Sequence, residues 1–268
     1  MTPKDLNQGA RNELKTLSKE NAERVARHLA MAAQLIDEDP AAAHEHALAA
    51  SRHAGRIPVV RETVAITAYA MGDFALALRE LRTYRRISGR EDQIALMVDS
   101  ERGVGRPERA LETARSVDRA ELPTPVRVNL AIAMSGAWLD LGDPTRALQE
   151  LEIPEADPDR AFEWSPALFA ARSTVLAELG RTEEAERWQR LADVAADALD
   201  AASGVGQDEV IFIEDLQDDD DEDGDSVPDD AAAVEPDAAA EAEAEAEAEA
   251  EAEAEEPDAN ADEGEAKN

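Results

Sequence analysis

The chain of 268 residues contains no cysteine, and only 3% of its residues are aromatic. The absence of cysteine excludes disulfides, thiol catalysis and cysteine-ligated metal sites. No apolar run approaches the ~20 residues of a membrane span. The N-terminal sequence MTPKDLNQGARNELKTLSKE also lacks an apolar stretch of signal-peptide length. We therefore expect a cytoplasmic protein that does not associate with a membrane.

Basic residues are scarce in one part of the chain. Residues 1–203 carry 34 acidic and 26 basic residues, which gives a net charge of −8. Residues 204–268 carry 28 acidic residues and one lysine, which gives −27 and completes the total of −35. Arginine outnumbers lysine 23 to 4, a bias typical of a high-GC bacterial genome. The two parts must be interpreted separately, because their partners are expected to differ.

Strand signals are missing from residues 1–203, since no alternating run of β-branched residues is bounded there by turn residues. A short motif recurs instead, and its copies begin at residues 38, 72, 105, 142 and 180. They read EDPAAA, GDFALA, GRPERA, GDPTRA and GRTEEA, at intervals of 34, 33, 37 and 38 residues. Every copy has alanine five positions after its first residue. A regular period of this length indicates a repeat of small structural units.

The residue types in the motif suit a joint between two helices. Glycine accommodates the left-handed backbone that often ends a helix. Aspartate caps the next helix, and proline fits the first turn, where its missing N–H costs nothing. These residues are Gly72, Gly105, Gly142 and Gly180 for the turn, Asp39, Asp73 and Asp143 for the cap, and Pro40, Pro107 and Pro144 for the first turn. Helical apolar spacing flanks the joints, so the sequence predicts successive helix pairs.

This pattern resembles the tetratricopeptide repeat family, whose unit is a pair of antiparallel helices repeating about every 34 residues. The segments MGDFALALREL and LGDPTRALQEL carry the resemblance most clearly. It covers residues 18–202, on the order of 70% of the chain. The resemblance implies an all-α, right-handed superhelical solenoid of about five repeats. Residues 1–17 are then a partly helical N-terminal extension, and residues 203–268 a disordered acidic tail.

Members of this family generally bind a peptide or protein segment along an extended concave surface, which implies an unidentified protein or peptide partner here. The candidate groove residues are Val25, Leu35, Ile66, Tyr69, Ile132 and Leu139. The alternative is that several of them are core residues between helices. Some members clamp a carboxy-terminal carboxylate with lysine and asparagine, whereas the corresponding stretches here offer Glu62, Asp92 and Asp99. We therefore expect apolar or mixed recognition.

Catalytic and metal-binding motifs are not found in the sequence. It contains no GxSxG, GxxxxGK[ST] or HExxH motif. His44 and His46 are two positions apart on a predicted helix and so point to nearly opposite faces. We interpret them as surface histidines rather than metal ligands. The sequence therefore predicts a protein that is not an enzyme and needs neither a cofactor nor a metal.

The stretch RELRTYRRISGR contains five arginines within one predicted helix and its end. These are Arg79, Arg82, Arg85, Arg86 and Arg90. They could form a basic patch for nucleic acid or for an acidic segment. They could equally form a solvated helix face with positive charge near the helix C-terminus, where it is favourable. Because the repeats are net acidic, we favour the solvated face and do not expect a nucleic-acid partner.

The tail has too little apolar surface to offset the entropy of folding, so the sequence predicts disorder. One short apolar motif, within residues 208–216, interrupts its acidity with Val210, Ile211, Phe212 and Ile213. This cluster could bind an apolar cleft of a partner or the chain's own groove. The acidic residues could attract a basic protein, or could fold back on the Arg-rich surface as an autoinhibitory or solubilising arm. Residues 221–230, DEDGDSVPDD, resemble a thrombospondin-type calcium loop in part.

The sequence as a whole predicts a non-enzymatic scaffold that acts through protein–protein contacts. The alternative is an RNA- or ribosome-associated factor whose Arg-rich helix binds RNA while the acidic tail regulates access.

Overall fold

The computed structural model describes residues 2–205, with side chains up to residue 202, and this range contains helices and no strand. The all-α prediction is thus confirmed for it. The α-helices are α1 Gln8–Glu13, α2 Lys19–Leu35, α3 Pro40–Ala54, α4 Pro58–Ala70, α5 Phe74–Ser88, α6 Ile94–Gly103, α7 Pro107–Arg115, α8 Thr124–Asp140, α9 Pro144–Glu150, α10 Ser165–Glu178 and α11 Thr182–Val205. Short 3-10 helices span Pro3–Asp5, Leu14–Thr16 and Arg119–Glu121. None of the described helices combines the length and apolar character needed to cross a membrane.

The four predicted turn glycines have left-handed backbones. Their φ angles are +78° at Gly72 and Gly105, +73° at Gly142 and +72° at Gly180. The same two hydrogen bonds close each of these turns. In the first, the N–H of Gly72 donates to the carbonyl of Tyr69 at 2.9 Å, and the next N–H donates to the carbonyl five residues before it, also at 2.9 Å. This geometry satisfies carbonyls at the helix end and reverses the chain after the first helix of four pairs.

The predicted caps also form. Asp39, Asp73 and Asp143 each accept the backbone N–H of the residue three positions later, at 3.0 Å in all three cases. Proline occupies the first turn of α3, α7 and α9, as expected for a position whose N–H has no helical partner. The residues after each turn therefore start a helix at a fixed point, which sets the register of its apolar face.

Consecutive helices pack against each other in pairs: α2 with α3, α4 with α5, α6 with α7, α8 with α9 and α10 with α11. We call the earlier member of each pair the first helix. First helices of neighbouring pairs also meet, since α2 contacts α4, α6 contacts α8 and α8 contacts α10. The alanine of each motif lies at the packed side of a second helix and is buried. These residues are Ala43, Ala77, Ala110, Ala147 and Ala185.

The buried apolar residues fall into three clusters. The first joins α1 to α4, the second joins α4 to α8, and the third joins α8 to α11. Helix α8 serves two clusters, because Leu130 and Met134 belong to the second and Val128 to the third. Trp138 packs against both. This explains why α8 is apolar on more than one side.

Residues 2–17 cover the start of the helix pairs. Leu6, Ala10 and Leu14 are buried in the first cluster with α2. The Glu13 carboxylate accepts the Val59 N–H at 2.8 Å, at the start of α4. Its other oxygen pairs with Arg90 at 3.1 Å. The segment therefore shields apolar surface of α2 and α4 from solvent.

The turn at Gly142 gives a direct test of the left-handed geometry. A Cβ at this position would have nothing within 4 Å, so only the backbone conformation disfavours a side chain. We expect Gly142→Ala to lower the free energy of unfolding by about 1–2 kcal/mol. For a domain of this size that is a fall of about 2–8 °C in the melting temperature. Gly142→Asn should lose less, because asparagine adopts this conformation more readily. Equal losses for both variants, measured by thermal circular dichroism, would contradict this account of the turn.

Candidate functional site

Hydrogen-bonded polar side chains connect first helices of three successive pairs. The Tyr69 hydroxyl of α4 donates to the Asp99 carboxylate of α6. Arg102 of α6 donates to Asp99 at 2.5 Å and, through Nε, to Asp140 of α8 at 2.7 Å. We call these four residues the polar ladder. It ties α4, α6 and α8 together along the face formed by the first helices, which we call the first-helix face.

The position of each ladder residue follows from the repeat. Tyr69 and Arg102 both lie three residues before a turn glycine, and Asp99 lies one helical turn earlier than Arg102. Residues at equivalent positions of neighbouring units lie side by side when the units pack in register. Gly136 of α8 leaves room for the arginine, since a Cβ there would come within 2.3 Å of Arg102 Nη1. The guanidinium can therefore lie against the backbone of α8.

Burial shapes the electrostatics of this face. Burial and the hydrogen bond to Asp99 raise the pKa of Tyr69 to about 12, so its hydroxyl remains a donor at neutral pH. Burial also raises the pKa of Glu62 above its ordinary value, although the hydrogen bond from Gln93, at 2.7 Å, acts in the opposite direction. The ladder and its neighbours thus hold carboxylates close together at partly dehydrated positions.

An open cavity of about 320 Å³ lies between α6 and α8, next to the ladder. Its walls combine the apolar side chains of Leu96 and Ile132 with Asp99 and Asn129. We call it the first-helix cavity. Asn129 is exposed, and its side-chain amide makes no hydrogen bond to any described residue. Asp92 and Asp99 outnumber Arg102 among its charged lining residues, so the cavity offers apolar surface, an excess of negative charge and an amide that can both donate and accept.

The predicted groove residues have different environments. Val25 is completely buried in the first apolar cluster, so its assignment to a groove is wrong: a helix packed between α3 and the N-terminal segment turns that position inward. The other five are half-buried and lie on the first helices α2, α4 and α8. They are Leu35, Ile66, Tyr69, Ile132 and Leu139. The structure brings Tyr69 into the polar ladder and Ile132 into the first-helix cavity, whereas Leu139 packs against the third apolar cluster.

The sequence interpretation missed Arg102, Asn129 and Leu96 as groove residues. A signal was available for Arg102 alone, in its spacing from a turn glycine. Arg102 lies at the same distance before Gly105 as Tyr69 lies before Gly72. Transferring positions from one repeat unit to the next would have identified Arg102.

The Arg-rich patch is largely neutralised by carboxylates. Four of its five arginines form ion pairs of 2.7–3.1 Å, which are Arg79–Glu80, Arg82–Glu101, Arg85–Glu91, Arg90–Glu13 and Arg90–Asp92. Arg86 is exposed and has no carboxylate within 4 Å among the described residues. Arg90 lies beyond the left-handed Gly89 that ends α5, and its guanidinium lies over the Tyr84 ring. The patch therefore divides into an α5 face and a separate cluster around Arg90.

The histidines do not all lie on the surface. His44 is buried, and its Nδ1 is 2.8 Å from the Thr67 hydroxyl of α4, so its interpretation as a surface residue is wrong. The Nδ1 atoms of His28 in α2 and His46 in α3 are 2.9 Å apart. Within residues 2–205, no cluster of three or more metal-binding side chains is present. His28 and His46 form a close pair between two helices.

The apolar tail motif, Val210 to Ile213, lies outside the described residues, as do the calcium-loop-like residues 221–230 and the rest of the predicted disordered tail beyond residue 205. Comparisons of the chain with protein-family models, with curated proteins and with solved structures found no match.

A double-mutant cycle on Tyr69→Phe and Asp99→Ala would test whether the polar ladder couples α4 to α6. A hydrogen bond to a charged group contributes about 1.5–3 kcal/mol. Because this pair is half-exposed, we expect a coupling of about 1–2 kcal/mol in urea denaturation. The control is Tyr69→Phe combined with Asp197→Ala on α11, which should be additive. Additivity in both cycles would show that the ladder does not couple the helices.

The pair of His28 and His46 predicts a dependence of stability on pH. Burial, and then the positive charges of His46, His53, Arg52 and Arg27, lower the pKa of His28 below 6.5 in the folded state. Below pH ~6.5 the unfolded chain therefore binds more protons. The free energy of unfolding should fall as the pH decreases from about 6.5 through the lower, folded-state pKa, and His28→Asn should flatten this slope. His53→Asn removes one of the neighbouring positive charges but keeps His28, so it should flatten the slope less. Urea denaturation at pH 7.5, 6.5 and 5.5 measures both variants, and an unchanged slope in His28→Asn would refute the assignment.

Proposed function

We propose that the chain is a tetratricopeptide-type solenoid acting as a non-enzymatic adaptor, and that its first-helix face binds an extended, positively charged segment of a partner protein. Three features support the solenoid: the turns that recur with left-handed glycines, the buried alanine in each second helix, and the contacts between neighbouring first helices. In such a stack each unit contacts its neighbours, and one helix of each unit lines a continuous surface.

The observation that carries the binding proposal is the first-helix cavity beside the polar ladder. Apolar side chains at Leu96 and Ile132 offer contact area, and an exposed amide at Asn129 can pair with a peptide bond in both directions. An extended segment has unpaired backbone N–H and C=O groups that such an amide satisfies. The geometry suits a peptide better than a compact ligand, because the cavity is open and lies along successive helices.

Charge defines the kind of partner. Five carboxylates lie on or beside this face, against the guanidinium groups of Arg90 and Arg102. They are Glu13, Glu62, Asp92, Asp99 and Asp140. The excess of negative charge attracts lysine or arginine side chains and repels an acidic segment. We therefore expect a partner segment that carries basic residues on either side of an apolar residue.

The acidic residues beyond residue 205 support the same class of partner. A segment with a charge near −27 raises the rate of encounter with a basic protein, and salt weakens this attraction. The tail would then concentrate a basic partner near the first-helix face. The apolar motif Val210 to Ile213 would supply a second contact.

The alternative of RNA or ribosome association rests on the Arg-rich patch. Because carboxylates pair with four of its five arginines, the patch presents less free positive charge than its sequence suggests. The aromatic residue between those arginines on α5, Tyr84, is buried and therefore offers no face for base stacking. These observations favour the protein-binding proposal.

The Asn129→Arg variant tests the proposed site. The added charge and bulk at the cavity should weaken binding of basic peptides about tenfold or more, because they remove the amide contact and repel the cation. Gln149→Arg is the matched control, since it makes the same kind of change at an exposed position of the second helix α9. Selection from a displayed library of 12-residue peptides, followed by fluorescence anisotropy on the enriched sequences, measures both. Enrichment of acidic sequences, or equal losses in the two variants, would contradict the proposal.

A further inference from the structure

An open cleft lies on the opposite side of α6 from the first-helix cavity, between the second helices α5 and α7. Its volume is about 510 Å³. Arginines from both helices line it, namely Arg82, Arg85 and Arg86 from α5 and Arg109 from α7. We call it the arginine cleft. The cleft brings Arg109, which the sequence interpretation did not include in the basic patch, next to the residues of α5.

Two of these arginines are held in place by the protein. Arg82 Nη2 lies 3.1 Å from an oxygen of Glu101, whose side chain is only 3% exposed. Arg85 pairs with Glu91 at 2.7 Å and reaches the hydroxyl of Ser116, the residue after α7, at 3.4 Å. These contacts restrict the guanidinium groups along the wall of the cleft. A ligand that binds them loses less side-chain entropy than it would on free arginines.

The other two arginines have charge available for a ligand. Arg86 and Arg109 are both exposed, and neither has a carboxylate within 4 Å in the part of the chain that the structure describes. Four arginines line the cleft, against Glu101 and Glu112 in its wall and Glu91, which pairs with Arg85. The cleft is thus locally positive on a repeat region whose own net charge is −8. An anionic ligand is favoured here and disfavoured at the first-helix face.

We propose that the arginine cleft binds the acidic segment 214–225 of the same chain. This segment reads EDLQDDDDEDGD and contains nine carboxylates in twelve residues with no basic residue. Carboxylates form paired hydrogen bonds with guanidinium groups, so several can engage Arg86 and Arg109 together with the anchored Arg82 and Arg85. The occupant is the segment with the densest run of carboxylates in the sequence.

Because the acidic segment belongs to the same chain as the arginine cleft, even a weak interaction is enough for it to be bound much of the time. A chain extends by at most ~3.3–3.6 Å per residue, so the residues after 205 can reach tens of ångströms within a dozen positions. A short flexible tether gives an effective concentration in the millimolar range. An interaction with a dissociation constant of about 1 mM would therefore be substantially populated within one molecule. This proposal does not depend on the partner proposed for the first-helix face.

The absence of cysteine permits a specific test on the full chain. A nitroxide attached to Ser226→Cys, next to the segment, would be the only label. At low salt we expect paramagnetic broadening, at least twofold in intensity, of the backbone amide signals of Thr113 on α7 and of Ser116 directly after it. The broadening should disappear at about 1 M salt, where the screening length is ~3 Å. It should also disappear in the double variant Arg86→Glu and Arg109→Glu.

The control carries the same change of charge elsewhere. Arg56→Glu with Arg187→Glu replaces two exposed arginines outside the cleft and should retain the broadening. The remaining amide signals of both variants report whether the helices stay folded. Equal loss of broadening in both double variants would show general electrostatic attraction rather than binding at the arginine cleft, and would contradict the proposal. Absence of broadening in the unmutated helices at low salt would also overturn it.

Two further measurements identify the occupant. In the first, protein that carries the nitroxide is mixed with isotope-labelled protein that carries no nitroxide, and we expect no broadening. Broadening seen only in this mixture would show that a second molecule occupies the cleft, and it would contradict the same-chain contact. Binding of single-stranded oligouridine at low salt through Arg86 and Arg109, without intramolecular broadening, would make the cleft a nucleic-acid site and would also overturn the proposal.

Discussion

The left-handed glycine that ends four of the five first helices is the constraint on which the other features depend. At +72° to +78°, φ at these positions is accessible to glycine at little cost and is costly for residues with a side chain. The turn fixes where one helix stops, and the aspartate or proline after it fixes where the next begins. Because the same joint recurs, helices of successive units meet with equivalent positions side by side. The polar ladder and the first-helix cavity are products of that alignment.

The distribution of charge has a similar origin. Positions that face neighbouring first helices carry Glu62, Asp99 and Asp140, whereas exposed positions on α5 and α7 carry arginine. One helix, α6, separates the two environments and contributes to both, with Asp99 on one side and the buried Glu101 on the other. Two residues apart on a helix, these carboxylates point in nearly opposite directions. The helical region, with a net charge of −8 over residues 1–203, thereby presents two surfaces of opposite local charge.

The joints could be predicted from the sequence because glycine, aspartate and proline act locally, through backbone geometry that hardly depends on distant residues. The all-α architecture and the buried alanines followed from the same period. The site was less predictable, since whether an apolar side chain faces a groove or the core depends on what packs over it. Val25 shows this: residues 2–17, which no repeat signal marks, fold onto α2 and help enclose that position. The sequence of α5 likewise did not reveal that Arg82 and Arg85 have carboxylate partners, one on α6 and the other in the turn before it.

Helices α4 and α8 each contribute buried residues to two apolar clusters, so each pair of adjacent clusters shares one helix. If packing were lost on one side of α8, that side would be exposed while its other side still packed in the neighbouring apolar cluster. Opening would consequently spread in steps of one helix pair, from an end toward the middle, with each shared helix adding resistance. Amide hydrogens of α8 should on this basis exchange with solvent more slowly than those of α11, which has a neighbour on one side only among the described helices. The described helices would then unfold as several overlapping cooperative units rather than as one, and the helices shared between units would be the most stable.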